Sequence, residues 1–136
     1  MNLKKIAVPF LGSLFALVLP LSSAFADSAG WQLKTWEQVH YNSTLDYYIT
    51  GVDNAHVSGN VLICLRSGGE AYFYVKEYDP DNADDFVTYT YLTPTSSTNS
   101  TACKMIDISS YQDGSNNQAE IYVQTTNKNA VFAIYD

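Results

Sequence analysis

The sequence predicts an all-β protein. The expected architecture is a single β-sandwich of seven to eight short antiparallel strands, jelly-roll or immunoglobulin-like in arrangement, following an N-terminal signal peptide. Three observations predict it. Beyond residue 30 the chain is a succession of short runs rich in Tyr, Val, Ile and Thr, separated by clusters of Gly, Asn, Asp, Ser and Pro. That composition suits half-buried pleated strands joined by tight turns. No stretch after the first 26 residues keeps apolar residues at helical spacing over three turns, so helix is limited to a short turn. With those 26 residues removed, 110 remain, enough for one hydrophobic core and too few for two.

The leader is read from its three parts. Lys4 and Lys5 precede an apolar run over residues 6–21, and Ala24-Phe25-Ala26 supplies the small residues of a cleavage site. Residues 1–26 are therefore expected to be a signal peptide and 27–136 one exported domain, extracellular or periplasmic after Sec export. Nothing later is long and apolar enough to cross a bilayer, so the mature chain is expected to carry no transmembrane segment. Losing Lys4 and Lys5 from seven basic residues leaves five against fourteen acidic ones, a net charge of −9. Five scattered cations cannot build a phosphate-tracking surface, which excludes nucleic acid as a partner.

Strands are expected near 32–39, 45–50, 60–65, 71–78, 86–92, 103–108, 119–125 and 131–135, with 93–101 as an exposed polar loop. Gly68-Gly69 supplies the positive φ angles of a two-residue hairpin, which would set Arg66 opposite Ala71, Cys64 opposite Phe73 and Leu62 opposite Val75. A turn at Asn127-Lys128 would set Val123 opposite Phe132 and Ile121 opposite Ile134. The two cysteines, Cys64 and Cys103, are expected to pair, since export leads to an oxidising compartment. A zinc site is not expected: His40 and His56 stand sixteen positions apart with no CxxC nearby.

Two sets of residues are candidates for function. The first is tyrosine, eleven in all. Tyr72, Tyr74 and Tyr78 alternate along one strand and Tyr89 and Tyr91 along the next, and aromatic faces on a flat sheet stack on the apolar side of sugar rings. Whether all five share a face depends on the register through the intervening turn, and a one-residue slip would move Tyr89 and Tyr91 to the side of Phe73 and Val75. The second set is that turn itself, where Asp79, Asp81, Asp84 and Asp85 offer calcium ligands, the cofactor otherwise being none. An Asp-Pro pair also favours a plain type I turn. Tyr78-Asp79-Pro80-Asp81 followed by Asp84-Asp85-Phe86 resembles the third calcium loop of C2 domains, themselves β-sandwiches, although its spacing is shorter than that pattern. Only Asp46 and Asp53 stand upstream to complete a second loop. The resemblance implies a module that meets membranes through a bridging cation.

Catalytic motifs are absent: there is no GxSxG, no HExxH and no P-loop. A glycosidase pair would have to come from Glu37, Glu70, Glu77 or Glu120. The expected function is thus a secreted, non-catalytic binding module for glycans or a cell-surface component, acting through the tyrosine face or the end loops. The alternatives are a secreted protein that acts on another protein, as an inhibitor, an adhesion or matrix component, or a small toxin or bacteriocin, and the calcium-dependent C2-like module.

Overall fold

The computed structural model describes residues 30–93 and 101–136. The expected signal peptide and most of the expected 93–101 loop lie outside the described residues. In chain order the strands are β1 (Leu33–Gln38), β2 (His40–Asn42), β3 (Tyr47–Ile49), β4 (His56–Val57), β5 (Asn60–Ser67), β6 (Ala71–Glu77), β7 (Asp85–Leu92), β8 (Ala102–Asp107), β9 (Ala119–Thr125) and β10 (Val131–Tyr135). A 3-10 turn, Ser109–Tyr111, follows β8.

Two antiparallel sheets pack together as a β-sandwich. One runs β1-β10-β5-β8; the other runs β2-β3-β9-β6-β7, with β4 pairing β9 beyond the end of β3. The expected first strand is divided at buried Val39: β1 belongs to the four-stranded sheet and β2 to the other. Between β3 and β4, Thr50 replaces ladder bonds. Its N–H donates to the Val123 carbonyl (3.0 Å) and its hydroxyl accepts from the Val123 N–H (2.9 Å).

Period-two alternation fixes which side of each strand is buried. On β6, Ala71, Phe73, Val75 and Glu77 point inward; on β9, Ala119, Ile121 and Val123 do so; and on β5 and β10, Val61, Ile63, Leu65, Phe132 and Ile134 meet them. Phe73 and Phe132, from opposite sheets, touch edge to face with centroids 4.9 Å apart.

Neither expected hairpin forms. β5 pairs with β10 and β8, and β6 with β9 and β7, so Cys64 lies opposite Ala133 and Cys103 while Phe73 lies opposite Thr125 and Thr90. Likewise Val123 pairs with Val75 and Phe132 with Leu65. Both connections are arches that carry the chain from one sheet to the other. The physical reason is that β5 and β6, like β9 and β10, each carry a strongly apolar face, and those faces bury each other across the sandwich rather than side by side in one sheet. Gly68 and Gly69 do adopt positive φ, +96° and +80°. Space as well as φ requires the first of them, because a Cβ on Gly68 would lie 2.2 Å from the Asn129 carbonyl oxygen in the second arch.

The two arches are fastened together by Asn127. Its amide NH2 donates to the Gly68 and Glu70 carbonyls, both at 2.9 Å, while its Oδ1 accepts from the Asn129 N–H (3.0 Å). The two ends of the described body also meet. The Gln32 N–H donates to the Asp136 carbonyl (2.6 Å) and the Asp136 N–H to the Gln32 carbonyl (2.9 Å).

Cys64 and Cys103 are joined by a disulfide between directly opposed residues of β5 and β8, closing a separation of 39 residues. The bond lies on the outward side of the four-stranded sheet, where Arg66 also sits over the Trp36 ring at 4.9 Å.

Two substitutions test this account. Asn127→Ala is expected to lower stability by about 1–2 kcal/mol, and Asn127→Asp by at least as much, because a carboxylate cannot donate to the two arch carbonyls. Urea denaturation of the three proteins measures the difference. Replacing both cysteines by serine is expected to cost up to about 4 kcal/mol, the chain entropy released by opening a loop of this size, read as a lower thermal midpoint with near-native circular dichroism at low temperature.

Candidate binding site: a tyrosine face and an acidic cleft

The outward face of β6 and β7 is aromatic. Tyr72 pairs with Tyr91 and Tyr74 with Tyr89, so these four side chains share the face turned away from the core. Register then shifts between Val75 and Lys76, leaving Val87 as an extra residue in β7 and bringing Phe86 opposite Lys76 on the same outward side. Ring centroids are 4.3 Å apart for Tyr72 and Tyr91, 4.9 Å for Tyr74 and Tyr89, and 5.8 Å for the nearly parallel Tyr72 and Tyr89. Phe86 and Tyr47 extend the stripe, each with its ring edge near Tyr74. Tyr72, Phe86, Tyr89 and Tyr91 are between 39% and 57% exposed, so the stripe is a surface and not a core.

Two of its hydroxyls, on Tyr91 and Tyr89, are held in the neutral form. Tyr91 donates to Glu70, and that bond holds its pKa above the usual phenol range; burial among its neighbours does the same for Tyr89. Neutral phenols both donate and accept, as sugar hydroxyls require. Tyr78 does not join the stripe. It lies past the end of β6, where its N–H donates to the Glu120 carbonyl (2.7 Å), and its side chain lines a cleft instead.

The four aspartates of the turn go separate ways. Asp79 closes the turn on itself, accepting from the Asn82 side chain (2.9 Å) and from the N–H groups of Asp81 (2.9 Å) and Asn82 (3.2 Å), which together lower its pKa. Asp84 accepts from the hydroxyl of Tyr122 (2.6 Å), and the Asp84 carbonyl accepts from Lys76 Nζ at 3.4 Å. The turn is thereby drawn over Tyr122, a fully buried side chain whose pKa is raised by burial first and Asp84 second. Asp81 and Asp85 are exposed.

Among the described residues, the carboxylates that do converge are Glu77, Asp113 and Glu120, each offering an oxygen within 4.8 Å of the others. Glu77 ends the inward row of β6 and Glu120 lies near the start of β9. Asp113 is placed by a small loop closed by its bridge to Gln118, with Gly114 and Asn117 at positive φ. Glu77 is 3% exposed, and its Oε1 is buried without a hydrogen-bond partner. Burial pushes its carboxyl up to about 7, with Asp113, Glu120, Asp79 and Asp85 adding to the effect. His56 spans Glu120 (Nδ1–Oε1, 2.8 Å) and Asp53 (Nε2–Oδ1, 3.1 Å). Asp113 and Glu120 also border a cleft of about 490 Å³ shared with Asp53, Tyr78, Asp79 and Asp81.

Of this cluster, Glu77 and Glu120 were visible in the sequence as carboxylates for hydrolysis, and Asp113 was not singled out. Period two along β6 was the available signal, since it puts Glu77 on the same side as Phe73 and Val75.

Fold and surface together define a small disulfide-linked β-sandwich that displays aromatic rings on one sheet and carboxylates at one end. Residues 37–135 match the family described as the YndA coiled coil domain, and the chain belongs to that family. The coiled coil of that description is not what these residues form: among the described residues there are strands and one 3-10 turn, and no α-helix. No curated protein and no solved structure matches the chain. No helix of the described residues is long and apolar enough to cross a membrane.

Tyr122→Phe tests how the acidic turn is held. It keeps the buried ring and removes the bond to Asp84, so stability is expected to fall by about 1–2 kcal/mol, with Asp84→Asn, which retains an acceptor, losing less. Chemical denaturation of the two variants checks the order.

Proposed function

We propose that this chain is an exported, non-catalytic binding module that recognises glycans of a cell surface or matrix through the outward face of β6 and β7. One observation carries the reading: Tyr72, Tyr74, Phe86, Tyr89 and Tyr91 form a continuous aromatic stripe on the outward face of one strand pair. A stripe of rings that the core does not use matches the apolar side of successive pyranose units, while Glu70 and the phenol hydroxyls offer polar partners at its border. The leader-like residues 1–26 and the disulfide support export. A protein partner is the second reading, favoured by Trp36 and Met105, exposed on the outward side of the four-stranded sheet.

Glycan-array and polysaccharide pull-down measurements test the proposal. Tyr72→Ala and Tyr89→Ala are expected to weaken binding by about tenfold or more each, as truncating a central aromatic contact does, with little change in thermal midpoint. Absence of binding to every polysaccharide tried, or loss of binding only in variants that also unfold, would remove the glycan reading.

A further inference from the structure

We infer that Glu77, Asp113 and Glu120 form a divalent-cation site, suited to calcium, at the end of the sandwich where β6, β9 and the loop after the 3-10 turn come together. The site is distinct from the aspartates of the 79–85 turn and does not depend on the glycan reading.

Three features support it. The three carboxylate oxygens lie within 4.8 Å of one another, a spread that a single ion bridges with bonds of about 2.4 Å, the ordinary calcium–oxygen length. Glu77 is almost wholly buried, and its Oε1 has no donor from the protein. A buried carboxylate oxygen without a partner is costly, and a cation beside it removes the cost. Finally, the cluster is reachable. Asp113 and Glu120 belong both to it and to the adjoining cleft, which Tyr78, Asp79, Asp81, Ser115 and Asn116 also line. Oxygen donors and room for water are what calcium's six to eight ligands require. His56, bonded to Glu120 Oε1 and to Asp53, fixes the Glu120 carboxylate and leaves its second oxygen available.

The consequence is mechanical. Asp113 sits in a loop that no long strand holds, whereas Glu77 and Glu120 sit in paired strands. An ion shared by the three ties that loop to the six-stranded sheet.

The experiment uses the full chain, stripped with a chelator and then titrated with calcium. One ion is expected per chain, together with a rise in thermal midpoint at about 1 mM calcium, since a ligand that binds only the folded state must stabilise it. Terbium in place of calcium is expected to luminesce when tyrosine is excited, Tyr78 being beside the site. Asp113→Asn and Glu120→Gln are each expected to weaken binding by about tenfold or more, while Asp84→Asn, which changes a carboxylate of the 79–85 turn that belongs neither to the cluster nor to the cleft lining, leaves it intact. Because the amides keep the shape of the acids, melting without calcium shows whether each variant is folded; if one is not, the other gives the same reading. An unchanged midpoint and no terbium signal at millimolar ion would overturn the proposal. So would binding that survives Asp113→Asn and Glu120→Gln but is lost with Asp84→Asn.

Discussion

The structure depends on the mutual burial of two apolar strand faces by a chain that changes sheet at its glycine and asparagine corners. β5 and β6 are consecutive, as are β9 and β10, yet each pair is split between the sheets. Phe73 and Phe132 meet across the gap as a result. An arch leaves more backbone groups unpaired than a hairpin, because the strands it joins do not bond to each other. Asn127 satisfies two of them, on Gly68 and Glu70, and so one side chain holds the second arch against the first.

The same arrangement decides what reaches the surface. With Phe73 and Val75 committed to the interior, alternation forces Tyr72 and Tyr74 outward, and pairing with β7 adds Tyr89 and Tyr91 beside them. Inward alternation also brings Glu77 to the rim of the core, where the apolar row runs out and three carboxylates gather. Tyrosine face and acidic cleft are thus two products of one strand, β6, read on its two sides. Its neighbour β9 completes the cleft with Glu120 and covers the core with Ile121 and Val123.

The class of fold was legible because it rests on composition and period, which are local. Pairing was not. Two positive-φ glycines between apolar strands satisfy a hairpin and an arch equally, and Val123 and Phe132 bury each other's neighbourhood in either case. What separates the two is the partner supplied by a distant part of the chain, such as Asn129 beside Gly68. The cysteine pair was readable from its even count, and the structure places it across β5 and β8. Of the tyrosines, four of the five expected share a face, through a register that depends on an extra residue at Val87 which no pattern announces. Tyr78 left the set because β6 ends before it. The four clustered aspartates drew attention by their density, whereas Asp113, one acid in a polar loop, is given its place only by tertiary closure onto β9.

Gln32 and Asp136 exchange two backbone hydrogen bonds, so the chain comes into the sandwich and leaves it through the same doorway. A body of this kind can be spliced into a loop of another protein without prising that loop apart. It can equally be circularised there with a short linker and reopened elsewhere, since neither operation has to stretch a strand.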